Sequence, residues 1–383
     1  MSRPVCTLLP AGTPMSAIFF AARVPAWTPL LFALLSLVMP PFARSVPAQA
    51  PTLPEVTSLG ESLAGRATPG LAMVLIRGDS IVHRSGHGLA DLSRRTPFTP
   101  GTPSYVASVA KMFTALAVLR LVDEGTLALD TTLGAVLPSA PEYAADVTLR
   151  QMLTHTSGIV DHYDIGGTER RWTTSDVHAL LDEVDSLLFV PGSNNSYSNS
   201  AYVLLAEVVA RASGQAYAGF LREAFFTPLG MAATTVAETP DARPSARAIG
   251  YRDADGGFVP HDYESSTVGA GGIYTSVDDL ARFALALRAG RVVSDSLLAL
   301  AQTAVIRTDG QPTPYGMGWL SETGPVEGRG EVAYVAAVGS LRGFWALFQW
   351  FHEDDAVVIW VSNAEANTTF DALLPLGAMV LAR

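Results

Sequence analysis

Strand-forming sequence lies at the two ends of this chain and helix-forming sequence lies between them, and this separation constrains the fold more than any other feature. Near the start, residues 71–76 and 80–84 flank the turn pair Gly78-Asp79, which predicts a β-hairpin. Near the end, residues 332–338, 344–351 and 356–361 are aromatic and β-branched, with Glu353-Asp354-Asp355 as a turn. The middle reads as helix. Thr148 and Gln151 make a capping box, residues 201–213 stop at Gly214, and Ser276 with Asp279 boxes a further helix. The predicted class is α+β: an antiparallel sheet built from both chain ends, flanked by N- and C-terminal helices, with an all-helical region inserted. The α/β part takes about residues 51–125 and 265–383, and the helical part about 126–264. A cleft between them is the natural place for a site.

Of 383 residues, 49% are hydrophobic and 16% charged, which is ample for a large core. Residues 1–50 contain Arg3, Arg23 and Arg44 but no acid, an apolar run over 30–38, and then Ala48-Gln49-Ala50. This is the pattern of a secretory signal cleaved after Ala50, and it implies a secreted or periplasmic domain of residues 51–383. The apolar run is short for a spanning helix, so no stable membrane insertion is expected after cleavage; an uncleaved anchor is the alternative, and Met15 offers a second start. Without those residues the chain has 36 acids against 22 bases, a formal charge of −14, which argues against nucleic-acid or anionic-membrane partners. The single cysteine, Cys6, falls in the signal, so neither a disulfide nor a thiol nucleophile is expected. The seven histidines have no metal-binding spacing, and no metal or organic cofactor is implied.

Lys111 is the only lysine; the other 24 basic side chains are arginine. Arginine keeps its proton at any biological pH, whereas a lysine can be brought to the neutral amine and act as a base. Lys111 lies three residues after Ser108, in Ser108-Val109-Ala110-Lys111, where an amine one helical turn away can activate a hydroxyl nucleophile. From residue 108 to 124 the sequence reads as a helix with apolar residues over most of its circumference, and such a helix is buried. Burial and the positive end of the helix dipole both disfavour an ammonium in its first turn, so a depressed pKa is expected for Lys111.

A second candidate is Tyr197-Ser198-Asn199, after the turn segment 191–195 and just before a helix. Taken alone, Asn199 or Ser200 reads as an N-cap and Tyr197 as a packing residue. Beside the Ser108/Lys111 pair the same residues gain a chemical reading. A phenol can shuttle a proton among Ser108, Lys111 and a leaving group, and an Asn amide can bind Lys111 and a substrate carbonyl.

With S-x-x-K followed by Y-x-N, the chain resembles the serine β-lactamase and penicillin-binding protein superfamily, specifically its class C-like branch with D-aminopeptidases and carboxylesterases. The resemblance extends to Leu153-Thr154-His155-Thr156-Ser157-Gly158, Pro228-Leu229-Gly230-Met231 and the run from Gly271 to Leu280. It implies catalytic roles for Ser108, Lys111 and Tyr197, a substrate-positioning role for Asn199, a structural role for His155, and an oxyanion site made by the amides of Ser108 and Ser340. One departure stands out. On the strand edging the site the family usually carries Lys or His, a small residue and Gly, but this chain reads Ala337-Val338-Gly339-Ser340-Leu341-Arg342-Gly343-Phe344. The departure puts carboxylate-bearing substrates in doubt. Arg342 either supplies the missing charge or is a solvated loop arginine; Gly339 either lets the strand approach the substrate closely or marks a bulge.

The reading is a serine hydrolase that works through an acyl-enzyme on a small-molecule ester, amide or peptide. The alternative is a catalytically weak relative that binds peptidoglycan-like ligands or a protein partner. A lipase-type α/β-hydrolase is disfavoured because no G-x-S-x-G elbow occurs. Gly269-Ala270-Gly271-Gly272 reads as a turn and not a dinucleotide fingerprint.

Overall fold

The computed structural model describes residues 53–262, 267–326, 328–365 and 375–381. The signal reading for residues 1–50 lies outside the described residues. A six-stranded antiparallel sheet forms the framework, from strands β1 (Leu71–Arg77), β2 (Ser80–His87), β3 (Leu320–Val326), β4 (Gly330–Leu341), β5 (Phe344–Phe351) and β6 (Ala356–Ser362). Their order is β3-β4-β5-β6-β1-β2, so the two chain ends meet where β1 pairs with β6, Leu71 opposite Ser362. Four strands arrive as consecutive hairpins, and the early hairpin completes the sheet.

The central strands are buried on both faces, which is why they read as continuous apolar runs and not as alternation. Ala72, Val74 and Ile76 of β1 join the larger core, whereas Leu71, Met73 and Leu75 face a second cluster. That second cluster is closed by the terminal helices α1 (Pro54–Leu63) and, at the other end of the chain, the helix Pro375–Leu381, which bury Val56, Leu376 and Val380.

The opposite face carries the larger core. Its central element is α2 (Ala110–Asp123), which precedes the inserted region and whose residues from Ala110 to Leu119 are all buried. Helix α5 (Asn199–Ser213) packs on α2, α3 (Leu149–Leu153) and α4 (His162–Gly166) pack on α5, and α6 (Val277–Arg288) packs on β1 and β6 with Phe283 against Phe113 of α2. Thr148 and Gln151 form the capping box of α3, and Gly214 ends α5 in the left-handed conformation. Ser276 caps α6 through Asp279 N, but the Asp279 carboxylate turns away to Ala233 N and Thr234 Oγ1. The inserted region is not helical throughout. Strand Thr235–Val236 pairs with Ile273–Thr275, which also pairs with Ser104–Tyr105, and Tyr251–Ala254 forms a hairpin with Gly257–Pro260. The correction has a simple source: these strands are two to four residues long, too short for alternation to register in the sequence.

Candidate active site

Strand Ser104–Tyr105 delivers the chain to a 3-10 turn, Ala107–Val109, which runs directly into α2 and carries Ser108. Ala107 has φ 45°, a left-handed conformation that costs a residue with a Cβ about 1–2 kcal/mol. Strand β4 presses on this turn. A Cβ at Gly339 would meet Val106 O at 2.1 Å and the amides of Ser108 and Val109 at 3.0 Å. Gly339 therefore permits close approach of the strand to the backbone of Ser108, a different contact from the substrate approach suggested by sequence. Gly339 is in register with Ala346 of β5, with no bulge, and Ser340 follows it as an exposed residue.

Behind Ser108 the surroundings are polar and dry. Lys111 Nζ is buried 3.2 Å from Ser108 Oγ, 2.7 Å from Asn199 Oδ1 and 2.8 Å from the carbonyl of Ala270. Tyr197 covers the same amine, its ring centroid 4.8 Å from Nζ, and lines the same cavity as Ser108. The direction of the Asn199 amide is fixed from the far side. Its Nδ2 donates to Asp161 Oδ2 at 2.6 Å, and its backbone N–H donates to the same oxygen at 3.2 Å, so Oδ1 must face Lys111. Neither Asn199 nor Ser200 is spent as the N-cap of α5: Ser198 caps it through Ala201 N, and Ser200 Oγ accepts from His162 N.

Burial drives the Lys111 ammonium down to about 7, against the opposing pull of Asp161. The geometry admits the neutral form. An –NH2 group has two donors and one lone pair, and here two oxygens accept while one hydroxyl can donate. Burial pushes the Tyr197 phenol up, away from phenolate, with Ser108 only partly offsetting it. His155 stacks on Tyr197 at 4.3 Å between ring centroids, and its Nδ1 accepts from Ser198 N at 3.2 Å. Burial, reinforced by Lys111, holds this imidazole well below its ordinary pKa and so neutral.

In front of Ser108 opens a cavity of about 310 Å3, whose lining adds Tyr315, Trp319, Leu320 and the β4 residues Ala336, Ala337 and Val338 to Ser108, Lys111, His155 and Tyr197. Arg342 is not among the lining residues. It occupies the β4–β5 turn at φ 50° and donates to the carbonyls of Thr168 and Glu169 at 3.0 and 2.7 Å, with His261 Nε2 at 3.3 Å. The guanidinium thus ties the sheet to the loop after α4, neither freely solvated nor turned into the cavity.

The structure brings Ser108, Lys111, Tyr197, Asn199 and Gly339 together and directs Arg342 elsewhere. Sequence reasoning missed three members of the site. Asp161 reads locally as the N-cap of α4, a role it also fills through Tyr163 N. Ala270 contributes only a carbonyl, although the glycine turn around it is a signal: a Cβ at Gly269 would lie 2.3 Å from Tyr202 O, so the turn is pressed onto α5. Tyr315 sits on a loop with no motif. Among the described residues no helix is long and apolar enough to cross a membrane, and no group of three or more His, Cys, Asp or Glu could hold a metal ion.

The Beta-lactamase family model matches residues 58–381. A penicillin-binding protein of Bacillus subtilis (strain 168) is 29% identical over 315 residues, which cover 77% of this chain and 68% of that protein. A D-aminopeptidase of Gluconobacter oxydans (strain 621H) is 28% identical over 65% of this chain and 48% of its own length, and one of Brucella canis is 29% identical over 81% and 59%. The chain thus spans only about half the length of the D-aminopeptidases it matches. Among solved structures, the octameric penicillin-binding protein homologue from Pyrococcus abyssi superposes with a TM-score of 0.74 at 24% identity, covering 86% of this chain and 78% of that one. The D-amino acid amidase from Ochrobactrum anthropi SV3 gives 0.69 at 24% identity over 85% and 95%. Sheet order, site geometry and a family model spanning nearly all described residues agree, and the protein belongs to the beta-lactamase family.

Proposed function

We propose that the protein is a serine hydrolase that cleaves ester or amide bonds of small molecules through an acyl-enzyme on Ser108. The observation that carries this reading is the set of neighbours around Lys111 Nζ, two acceptors and one hydroxyl, which matches a neutral amine poised to take a proton. Magnitudes choose between the two candidate bases. Lys111 at about 7 is substantially neutral at physiological pH, whereas the phenol of Tyr197 is pushed further from ionisation.

In the first step Ser108 Oγ bonds to the substrate carbonyl carbon and its proton passes to Lys111 Nζ. The amides of Ser108 and Ser340 stabilise the oxyanion, an interaction of which each donor is worth about a hundredfold or more in rate. Collapse breaks the bond to the leaving group, which takes a proton from the Tyr197 hydroxyl as that hydroxyl is resupplied by Lys111. Water then adds to the acyl-enzyme, giving its proton back through the same groups, and the free acid leaves. Asn199 holds Lys111 in place and Asp161 holds Asn199.

The test is intact-mass detection of an acyl adduct with p-nitrophenyl acetate and a chromogenic cephalosporin side by side. An adduct that disappears in Ser108→Ala supports the reading. Folded protein that gives neither adduct nor turnover would favour the binding role instead. Residues 1–50 are proposed as a secretory signal on their charge and apolar pattern; exported protein that retains them would refute it.

A further inference from the structure

The cavity beside Ser108 has a polarity that narrows the substrate. We propose that it receives the leaving group and selects leaving groups without negative charge, favouring neutral alcohols and amines over those bearing a free carboxylate. This rests on the hydrolase reading, and concerns which substrates that site accepts.

The position follows from the proton path. The leaving group must reach the Tyr197 hydroxyl to be protonated, and Tyr197 lines this cavity together with Lys111. The polarity follows from the lining. Trp319 and Ala337 turn apolar side chains from the larger core to the cavity side of the sheet, while Leu320, Ala336 and Val338, whose side chains belong to the second cluster on the other face, edge it with backbone; at position 337 only a methyl stands there. An anion placed against that wall loses its hydration without a counter-charge.

Each ionisable group facing the cavity fails as a partner for an anion. Lys111 has its three hydrogen-bonding positions filled by Ser108, Asn199 and Ala270. His155 is held neutral, with Nδ1 accepting from Ser198 N. Tyr197 offers a phenol, which carries no positive charge. The charge acting on the Tyr315 hydroxyl is negative and comes from Glu322, on exposed β3 sequence. Arg342, two residues beyond Ser340, is committed to Thr168, Glu169 and His261. The Tyr315 hydroxyl, whose phenol burial keeps from ionising, lies in the lining and suits one neutral acceptor, such as an ether or ester oxygen. At about 310 Å3 the cavity lies at the small end of the roughly 300–1,000 Å3 typical of ligand sites, which fits one substituted ring or a short chain.

The experiment uses methyl 4-acetoxybenzoate and 4-acetoxybenzoate, whose leaving groups differ in charge at the same position. Each kcat/KM is divided by the ester's own rate of hydroxide hydrolysis. The neutral ester is expected to be favoured by about a hundredfold, the scale of an unpaired buried charge. Ala337→Lys, which brings an ammonium to the wall, should narrow that ratio at least about tenfold. In parallel, Ser108→Ala is titrated with methyl 4-hydroxybenzoate and 4-hydroxybenzoate by calorimetry, which reads cavity preference without turnover. Tighter binding of the neutral phenol supports the proposal even if neither ester is hydrolysed, an outcome that would sink the hydrolase reading alone. Equal normalised turnover of the two esters, or no preference for the neutral phenol in the Ser108→Ala protein, overturns it.

Discussion

The two sides of Ser108 are built from opposite materials. Behind it, Lys111, Asn199, Asp161 and the Ala270 carbonyl form a buried chain in which every polar atom described has a partner. In front, β4 offers a methyl, a glycine and backbone, against Trp319 and Leu320. One side offers groups that can move a proton; the other shapes a space and offers the Ser340 amide. Under the proposed function, the contrast assigns the chemistry to the buried chain, while the strand fixes the position of Ser108 and shapes the space for a substrate. Mutating each side in turn should separate those effects.

The polar side should break first and furthest. Ser108→Ala and Lys111→Arg should each lower kcat/KM for p-nitrophenyl acetate by about a thousandfold or more, since guanidinium cannot serve as a base. Circular dichroism should show both variants folded. Retention of turnover by Lys111→Arg would remove the central premise.

On the strand side, Gly339→Ala is the severe change. Its methyl would overlap Val106 O and crowd the Ser108 amide, so the turn must shift. A loss of about a hundredfold in rate, with about 1–3 kcal/mol in stability by urea denaturation, is expected from overpacking against backbone. Near-normal kinetics would mean that β4 does not hold the nucleophile.

Asp161→Asn sharpens the comparison within the polar chain. The base must be neutral to work, so wild-type kcat/KM should rise with pH through about 7 and then level off. Asp161 favours the ammonium, so its removal should move that limb to lower pH. It also releases the Asn199 amide, with an expected loss of about tenfold on the plateau. A role in folding alone would lower stability without moving the limb.

Arg342→Ala should have the smallest effect, within about threefold on neutral esters and under about 1 kcal/mol in stability, since its bonds lie outside the cavity and partly in solvent. A large loss confined to carboxylate-bearing substrates would show that it turns inward when such a substrate arrives.

Much of this was legible beforehand because it depends on local chemistry. The strands were visible in β-branched runs, the burial of α2 in apolar residues covering most of its circumference, and the altered Lys111 in the first turn of such a helix. Tyr197 and Asn199 were visible by spacing, but their alternative as cap and packing residues was broken only by seeing Ser198 take the cap. Asp161 was invisible because its local role hides its distant one: one oxygen caps α4 and the other holds Asn199 across 38 positions of sequence. The Ala270 carbonyl was invisible because a backbone oxygen has no residue code.

The sequence by itself determined the class of fold, the serine at 108 with its amine one turn away, and the absence of a basic side chain at position 337. These follow from periodicity, turn chemistry and residue type. Tertiary structure alone decided that Asn199 turns its oxygen to Lys111, that Arg342 faces the loop after α4, and that the wall before Ser108 is apolar. Each of those depends on which distant groups come within hydrogen-bonding or van der Waals reach, and such contacts exist only once the sheet has closed around α2.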